Sequence, residues 1–435
     1  MFTTYKEALN WIHGRLRFGI KPGLKRMDWM MNRLGSPEEK LQAIHIGGTN
    51  GKGSTVTFLR SILEASGYSV GTFTSPYIEQ FNERISVNGQ AIGDQEILKL
   101  VNIIRPLADE LEETDLGGPT EFEIITAMSF YYFAELNPVD IVLFEVGLGG
   151  RLDSTNIINP MASIITNIGL DHTNILGDSY EEIAFEKAGI IKDATPVFTA
   201  VQQTGALRVI EEQARHKKAP VYRINQEFFI DFHQPQPNGE IFSVTNNVQN
   251  LEKLEIRMMG KHQTENAALA VATAQFLNRQ GKFPVREHAI REGLQSAYWP
   301  GRFEVLSQSP LVILDGAHND EGVTKLVDEL KSRFLNHTIH IVFAALKDKK
   351  LENMISRLDQ IADKISFVSF DFPRAAYAQD LLELSTCETK QGIDDWRTFL
   401  DQEIPVLNET DLLVITGSLY FISEAKPHVT RILAK

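Results

Sequence analysis

The chain has 435 residues, long enough for two or three domains with a well-formed core. Hydrophobic residues make up 43% and charged residues 23%, which excludes a disordered chain. A net charge of -14 argues against broad nucleic-acid binding, because the attraction to phosphates would be missing. A single cysteine, Cys387, rules out an internal disulfide framework, the first residues lack a signal-peptide layout, and no apolar run approaches a membrane span. The expectation is a soluble cytoplasmic protein with no membrane partner.

Residues 5–35 read as two helices around a turn at Lys21-Pro22-Gly23. Apolar Ile44 to Ile46 then run into Gly47-Gly48-Thr49-Asn50-Gly51-Lys52-Gly53-Ser54, and a helical pattern (Phe58, Leu59, Ile62, Leu63) leaves it. Strand, glycine-rich loop and helix form a ready anion site: backbone N–H groups converge, the helix dipole adds to them, and Lys52 supplies a positive charge for phosphates. Gly53 follows the lysine where a hydroxyl residue is commoner, so Ser54 or Thr55 must supply any hydroxyl. A short strand spans 69–74, a loop is expected through 82–85, and helices over 94–114 and 121–135. Asp140 to Val146 is a nearly continuous apolar run, the mark of a buried parallel strand. Another strand at 161–167 leads to Asp171-His172, and a helix over 179–191 carries Lys187. Residues 195–260 read as further strands with an irregular insertion, and Glu265-Asn266-Ala267 opens an alanine-rich helix. A boundary falls at Tyr298-Trp299-Pro300-Gly301, followed by strands at 311–315, 339–345, 365–370 and 411–417 with helices between. Repeated strand-helix-strand patterning predicts an α/β fold with parallel sheets.

In such sheets ligands bind beyond the carboxyl ends of the strands. Those ends carry the glycine-rich loop, Ser75-Pro76, Glu145, Asp171-His172 and Asp315-Gly316-Ala317-His318-Asn319. Glu145 closes a buried strand, where an unpaired carboxylate is costly unless a cation meets it; magnesium, which prefers oxygen, suits Glu145 and the Ser75 hydroxyl. On its residue type alone His172 reads equally well as a hydrogen-bonded structural histidine, and Lys187 as a solvated helix lysine. Arg302 reads equally as a phosphate ligand or a surface arginine, and Thr416-Gly417-Ser418 is a further strand-end loop.

Taken in order, these motifs resemble the folylpolyglutamate synthase/dihydrofolate synthase family, part of the wider Mur-ligase type of ATP-dependent amide-forming enzymes. The resemblance runs from Gly48–Ser54 through Thr74-Ser75-Pro76, Thr120-Glu121-Phe122-Glu123, Glu145–Asp153, Asp171-His172, Glu186–Lys192, His262–Asn266, Gly301–Glu304 and Asp315–Asn319 to Thr416-Gly417-Ser418. It implies a phosphate-loop NTPase-like parallel-sheet domain over 1–297 and a smaller Rossmann-like α/β glutamate-ligase domain over 298–435. By the same resemblance Gly51, Lys52, Gly53 and Ser54 would hold ATP phosphates, and Asn266, Arg302 and Asp315 would contact ATP from the second domain's side. Ser75, Glu145 and His172 would bind Mg2+, with a monovalent cation as a further candidate. Lys187 would be carbamylated; His318 and Ser418 would place glutamate, with His318 counted with Lys52 and Lys187 as catalytic. Thr120, Glu121, Phe122, Glu123, Leu152, Asp153 and Ser154 would lie near the pterin.

The implied activity is ATP-dependent ligation of glutamate to folate, with a monomeric enzyme and small-molecule partners only. Gly150-Arg151-Leu152-Asp153 resembles members that also make dihydrofolate, whereas Tyr77 stands where many members carry histidine. A Mur-type ligase acting on another carboxylate, a phosphate-loop kinase and a non-catalytic nucleotide-binding module are the alternatives.

Overall fold

The computed structural model describes residues 1–19, 21–247 and 249–434. The chain divides into two compact units: unit 1 comprises residues 1–236, 240–257 and 263–298, and unit 2 comprises 237–239, 258–262 and 299–435.

Unit 1 is built on an eight-stranded sheet made of β1 (Ala43–Gly47), β2 (Val70–Phe73), β3 (Ile85–Val87), β4 (Gln90–Ala91), β5 (Ile141–Glu145), β6 (Ala162–Ile165), β7 (Val197–Thr199) and β8 (Val221–Arg223). Their order is β4-β3-β2-β5-β1-β6-β7-β8. Every residue of β1 and of β5 is buried, which is why neither alternates apolar with polar, and both sit in the middle of the sheet. β1 pairs in parallel with β5 and β6, and the register sets Ile46 beside Glu145 and Gly47 beside Ile165. Three carboxyl ends therefore stop side by side, which is the arrangement that makes a ligand-binding rim. Below the rim, Phe144 packs against Phe130 and Phe73 at ring-centroid distances of 5.0 and 6.0 Å. Each such fully buried ring contributes about 1.5–3 kcal/mol relative to exposure.

Several local expectations change. The 82–85 loop is a short 3-10 turn, Phe81–Arg84, running into β3, which pairs antiparallel with β2. The insertion after residue 224 is ordered as β9 (Phe228–Gln236), β10 (Gly239–Asn246) and β11 (Asn250–Ile256), a three-stranded sheet whose β10 and β11 pair antiparallel. The helix expected to open at Glu265 begins at Lys261 and runs to Arg279, and the helix with Lys187 covers Tyr180–Ala188, stopped by Gly189.

Unit 2 holds β12 (Glu304–Gln308), β13 (Leu311–Asp315), β14 (Thr338–Phe343), β15 (Lys364–Val368), β16 (Lys390–Ile393) and β17 (Asp411–Thr416), in the order β12-β13-β17-β14-β15-β16. The sheet is parallel except for β12, which pairs antiparallel with β13 and gives a mixed sheet. β17 lies between β13 and β14 with Thr416 beside both Asp315 and Phe343, so these three strand ends are also level. Its own core includes Ile313, Ile341, Phe343, Phe367 and Val414.

Candidate functional site

At the unit 1 rim the chain leaves β1 through Gly48, with φ +143°, and enters the helix Lys52–Ala65 through Gly51, with φ +82° in the left-handed region. Both need glycine for space as well as conformation: a Cβ on Gly48 would collide with the Thr166 hydroxyl, and one on Gly51 with the Asn266 carboxamide. The loop between them is fastened to the segment after β6. Thr49 N donates to Asn167 O at 3.0 Å, Asn50 N to Asn167 Oδ1 at 2.8 Å, and Thr166 Oγ1 to Asn50 O at 2.6 Å. With Thr49 and Asn50 amides occupied in this way, the amides of the first helical turn, from Gly51 to Ser54, are those without an intrahelical acceptor and are suited to an anion. Thr55 Oγ1 donates to Gly51 O at 2.9 Å, and Ser54 is buried in the first turn of the helix.

Lys52 Nζ donates to Thr49 O at 3.1 Å and lies 3.9 Å from Glu145 Oε1. Glu145 is buried, and its Oε2 accepts the backbone N–H of Ser75 at 3.2 Å. A carboxylate at a strand end, beside a lysine and a serine, has the oxygen chemistry of a magnesium site that keeps several waters. Among the described residues no group of three or more His, Cys, Asp or Glu is arranged to hold a metal. His172 occupies a left-handed backbone conformation (φ +52°) before a short helix, and its N–H donates to Asp171 Oδ1 at 2.9 Å.

Lys187 is not a solvated lysine. Its side chain is buried, and Nζ donates to Gly48 O at 2.9 Å, on the loop itself. Burial, reinforced by the charge of Lys52 and opposed by Asp171 and Asp153, pulls its pKa down to about 7. A substantial fraction is therefore a neutral, nucleophilic amine near neutral pH.

Three residues expected near the pterin also hold the fold. Thr120 and Glu123 form a reciprocal capping box for the helix Glu121–Tyr131, and the Glu123 carboxylate pairs with Arg26 at 2.9 Å. Asp153 takes Leu148 N on Oδ2 at 2.8 Å and both Thr155 N and Thr155 Oγ1 on Oδ1, closing the loop after β5; burial raises its pKa. The Phe122 ring fills the space that a side chain on Gly147 would need. Glu121 lies 3.6 Å from His13 Nδ1, while Leu152 O accepts Gly23 N at 3.5 Å. Ser154 is buried in the next turn.

Asn266 corrects an expectation: it belongs to unit 1, where it abuts Gly51, and its Nδ2 donates to Gln263 Oε1 at 3.0 Å. The remaining expected residues lie in unit 2. Both oxygens of Asp315 accept backbone N–H groups, Phe303 at 2.8 Å and Ala317 at 2.9 Å; burial raises its pKa while the nearby Arg302 charge lowers it. His318 Nδ1 lies 2.8 Å from Gly316 O, which fixes the tautomer with the proton on Nδ1. The Thr416 and Ser418 hydroxyls are buried with no hydrogen-bond partner among the described residues, on either side of Gly417 at φ +116°. Thr166 and Asn167, which fasten the loop, were not anticipated; their position just past an apolar strand was the available signal.

Family models match the Mur ligase middle domain over residues 106–274 and the Mur ligase glutamate ligase domain over 301–419. A dihydrofolate synthase/folylpolyglutamate synthase of Bacillus subtilis is 51% identical, the match covering 98% of this chain and 99% of that protein. A folylpolyglutamate synthase of Lacticaseibacillus casei is 33% identical over 97% and 98% of the two chains. Among solved structures, folylpolyglutamate synthase from Thermotoga maritima superimposes with a TM-score of 0.85 at 35% identity, covering 98% of this chain and 96% of the other. The Mycobacterium tuberculosis enzyme complexed with ADP and AMPPCP gives 0.88 at 28% identity, covering 97% and 98%.

Proposed function

The chain belongs to the folylpolyglutamate synthase/dihydrofolate synthase family of Mur-type ligases, and from that premise we propose that it joins L-glutamate both to reduced folates and to dihydropteroate, using ATP. The observation that carries the chemistry is the unit 1 rim, where a fastened glycine loop, Lys52, Glu145 and a buried Lys187 meet.

A carboxylate does not condense with an amine in neutral water. Here the substrate carboxylate oxygen attacks the γ-phosphorus of ATP, a C–O–P linkage forms, and the bond to ADP breaks. The glutamate amine then adds to the carbonyl carbon, loses its proton, and phosphate leaves as the amide forms. Amides from Gly51 to Ser54, with the Ser54 hydroxyl and Lys52, hold the phosphates and neutralise charge as it moves. Asn266 supports this loop at Gly51. Ser75, Glu145 and His172 would hold Mg2+, which supplies Lewis-acid stabilisation of the phosphate oxygens when bound. The neutral Lys187 amine would add CO2, forming an N–C bond and releasing a proton. The product replaces an ammonium, which repels Lys52, with a carboxylate. In unit 2, Arg302 and Asp315 are assigned to the nucleotide and His318 and Ser418 to glutamate; the unpartnered Ser418 hydroxyl supports the last assignment. Glu121, Phe122, Leu152 and Ser154 are assigned to the pterin. A monomer working in the cytoplasm is the simplest setting, and no helix among the described residues is long and apolar enough to cross a membrane.

The test is ADP release and amide formation, measured separately with dihydropteroate plus glutamate and with tetrahydrofolate plus glutamate. Both pairs should turn over. Activity with tetrahydrofolate alone would restrict the enzyme to chain extension, and ADP release without an amide would reject ligation.

A further inference from the structure

Lys187 reaches Gly48 from the last turn of the helix Tyr180–Ala188, so its position depends on what holds that turn. Helix ends expose carbonyls with no intrahelical donor, and here the loop after β5 engages them. Arg151 N donates to Glu186 O at 2.7 Å. The Asn156 carboxamide adds a bridge: Nδ2 donates to Arg151 O and to Gly189 O, each at 3.0 Å. Gly150 closes the seam, since a Cβ there would stand 2.9 Å from Glu186 O and 3.0 Å from Lys187 O. Asn156 is buried, and its main-chain oxygen accepts Lys192 Nζ at 2.7 Å.

Two carbonyls facing one nitrogen allow only one orientation of the carboxamide, because Oδ1 turned toward them would meet lone pairs with lone pairs. Oδ1 is correspondingly buried without a partner among the described residues. The site keeps an unsatisfied acceptor in order to present two donors. An aspartate of the same size could not replace it.

We propose that Asn156 is a positioning residue for ligation: it ties the carbonyls of Arg151 and Gly189 together and thereby holds Lys187 at the phosphate loop. The inference rests on the assignment of Lys187 given above. It goes further in naming the residue that sets where the lysine nitrogen stands.

The test compares Asn156→Ala and Asn156→Asp with the unaltered protein, using steady-state kinetics and a carbon-13 spectrum of protein equilibrated with labelled bicarbonate. Both variants should fold. Each should lose kcat by about tenfold or more, the usual effect of removing a group that orients a functional side chain, while KM for ATP stays near its original value. The carbamate carbon signal should weaken in parallel, and raised bicarbonate should restore part of both signal and kcat, which a purely structural lesion would not allow. Original kcat with full signal in a folded Asn156→Ala protein would overturn the proposal. So would a loss confined to KM for ATP, or the failure of both variants to fold. An unaltered protein with no carbamate signal would remove the carbamate assignment alone; the split between kcat and KM would then decide on Asn156 by itself.

Discussion

Phosphate binding and lysine chemistry stand on different footings at the level of single residues. The glycine loop was legible because its requirement is local: φ values of +143° and +82° at Gly48 and Gly51 exclude most side chains wherever they occur. Gly51→Ala should therefore fold yet bind ATP poorly, with a KM raised at least tenfold or turnover lost; unchanged ATP kinetics would remove the loop from the site. Lys187 was not legible from spacing, since its burial arises from a contact with Gly48, 139 positions away along the chain. His45 on β1 was equally hidden. Its Nε2 lies 2.8 Å from Thr155 Oγ1, which itself donates to Asp153, so His45 donates there and Nδ1 is left without a partner among the described residues. Burial depresses its pKa from 6.5 to about 3. Between those values the unfolded chain binds the extra proton, so stability is present above pH 6.5 and falls as pH drops toward 3, at up to about 1.4 kcal/mol per pH unit. His45→Gln should flatten that part of the stability profile, as followed by denaturant unfolding at a series of pH values. An unchanged slope would show that other groups dominate.

Elements were legible where burial or capping writes a strong pattern. The apolar run of β5 and the helix opening just after Thr120 both read correctly because each follows from one segment's own chemistry. The short strands β3, β12 and β16 escaped, having three to five residues each and partners chosen by the rest of the sheet. The helix start at Lys261 escaped as well, since Gly260 before it has no side chain to signal a cap in the sequence. Thr120 illustrates how a residue assigned to a ligand can serve an element first. Thr120→Ala removes one cap bond and should cost about 1 kcal/mol of stability, read as a lower denaturation midpoint. Arg26→Ala should cost more, about 3–5 kcal/mol, because it leaves the Glu123 carboxylate buried without its partner. If the two losses are reversed, the Arg26 pair is not what stabilises that helix start.

For the molecule as a whole, the parallel α/β character follows from alternating strand and helix patterns, but the chain's path does not. Unit 1 and unit 2 each have an apolar core, one including Phe130 and Phe144, the other Phe343 and Phe367. Heat should therefore unfold the protein in more than one step, with a calorimetric enthalpy exceeding the van't Hoff value, and a non-hydrolysable ATP analogue should raise at least the unit 1 transition. A single transition with equal enthalpies would mean the units melt together. Met259 belongs to the unit 2 core although it precedes the helix Lys261–Arg279, most of which lies in unit 1. Chimaeras joined at residue 298 would thus leave a buried side chain behind in the wrong parent. Exchanging catalytic halves between relatives requires grafting the 258–262 segment together with everything after 298, two pieces in place of one.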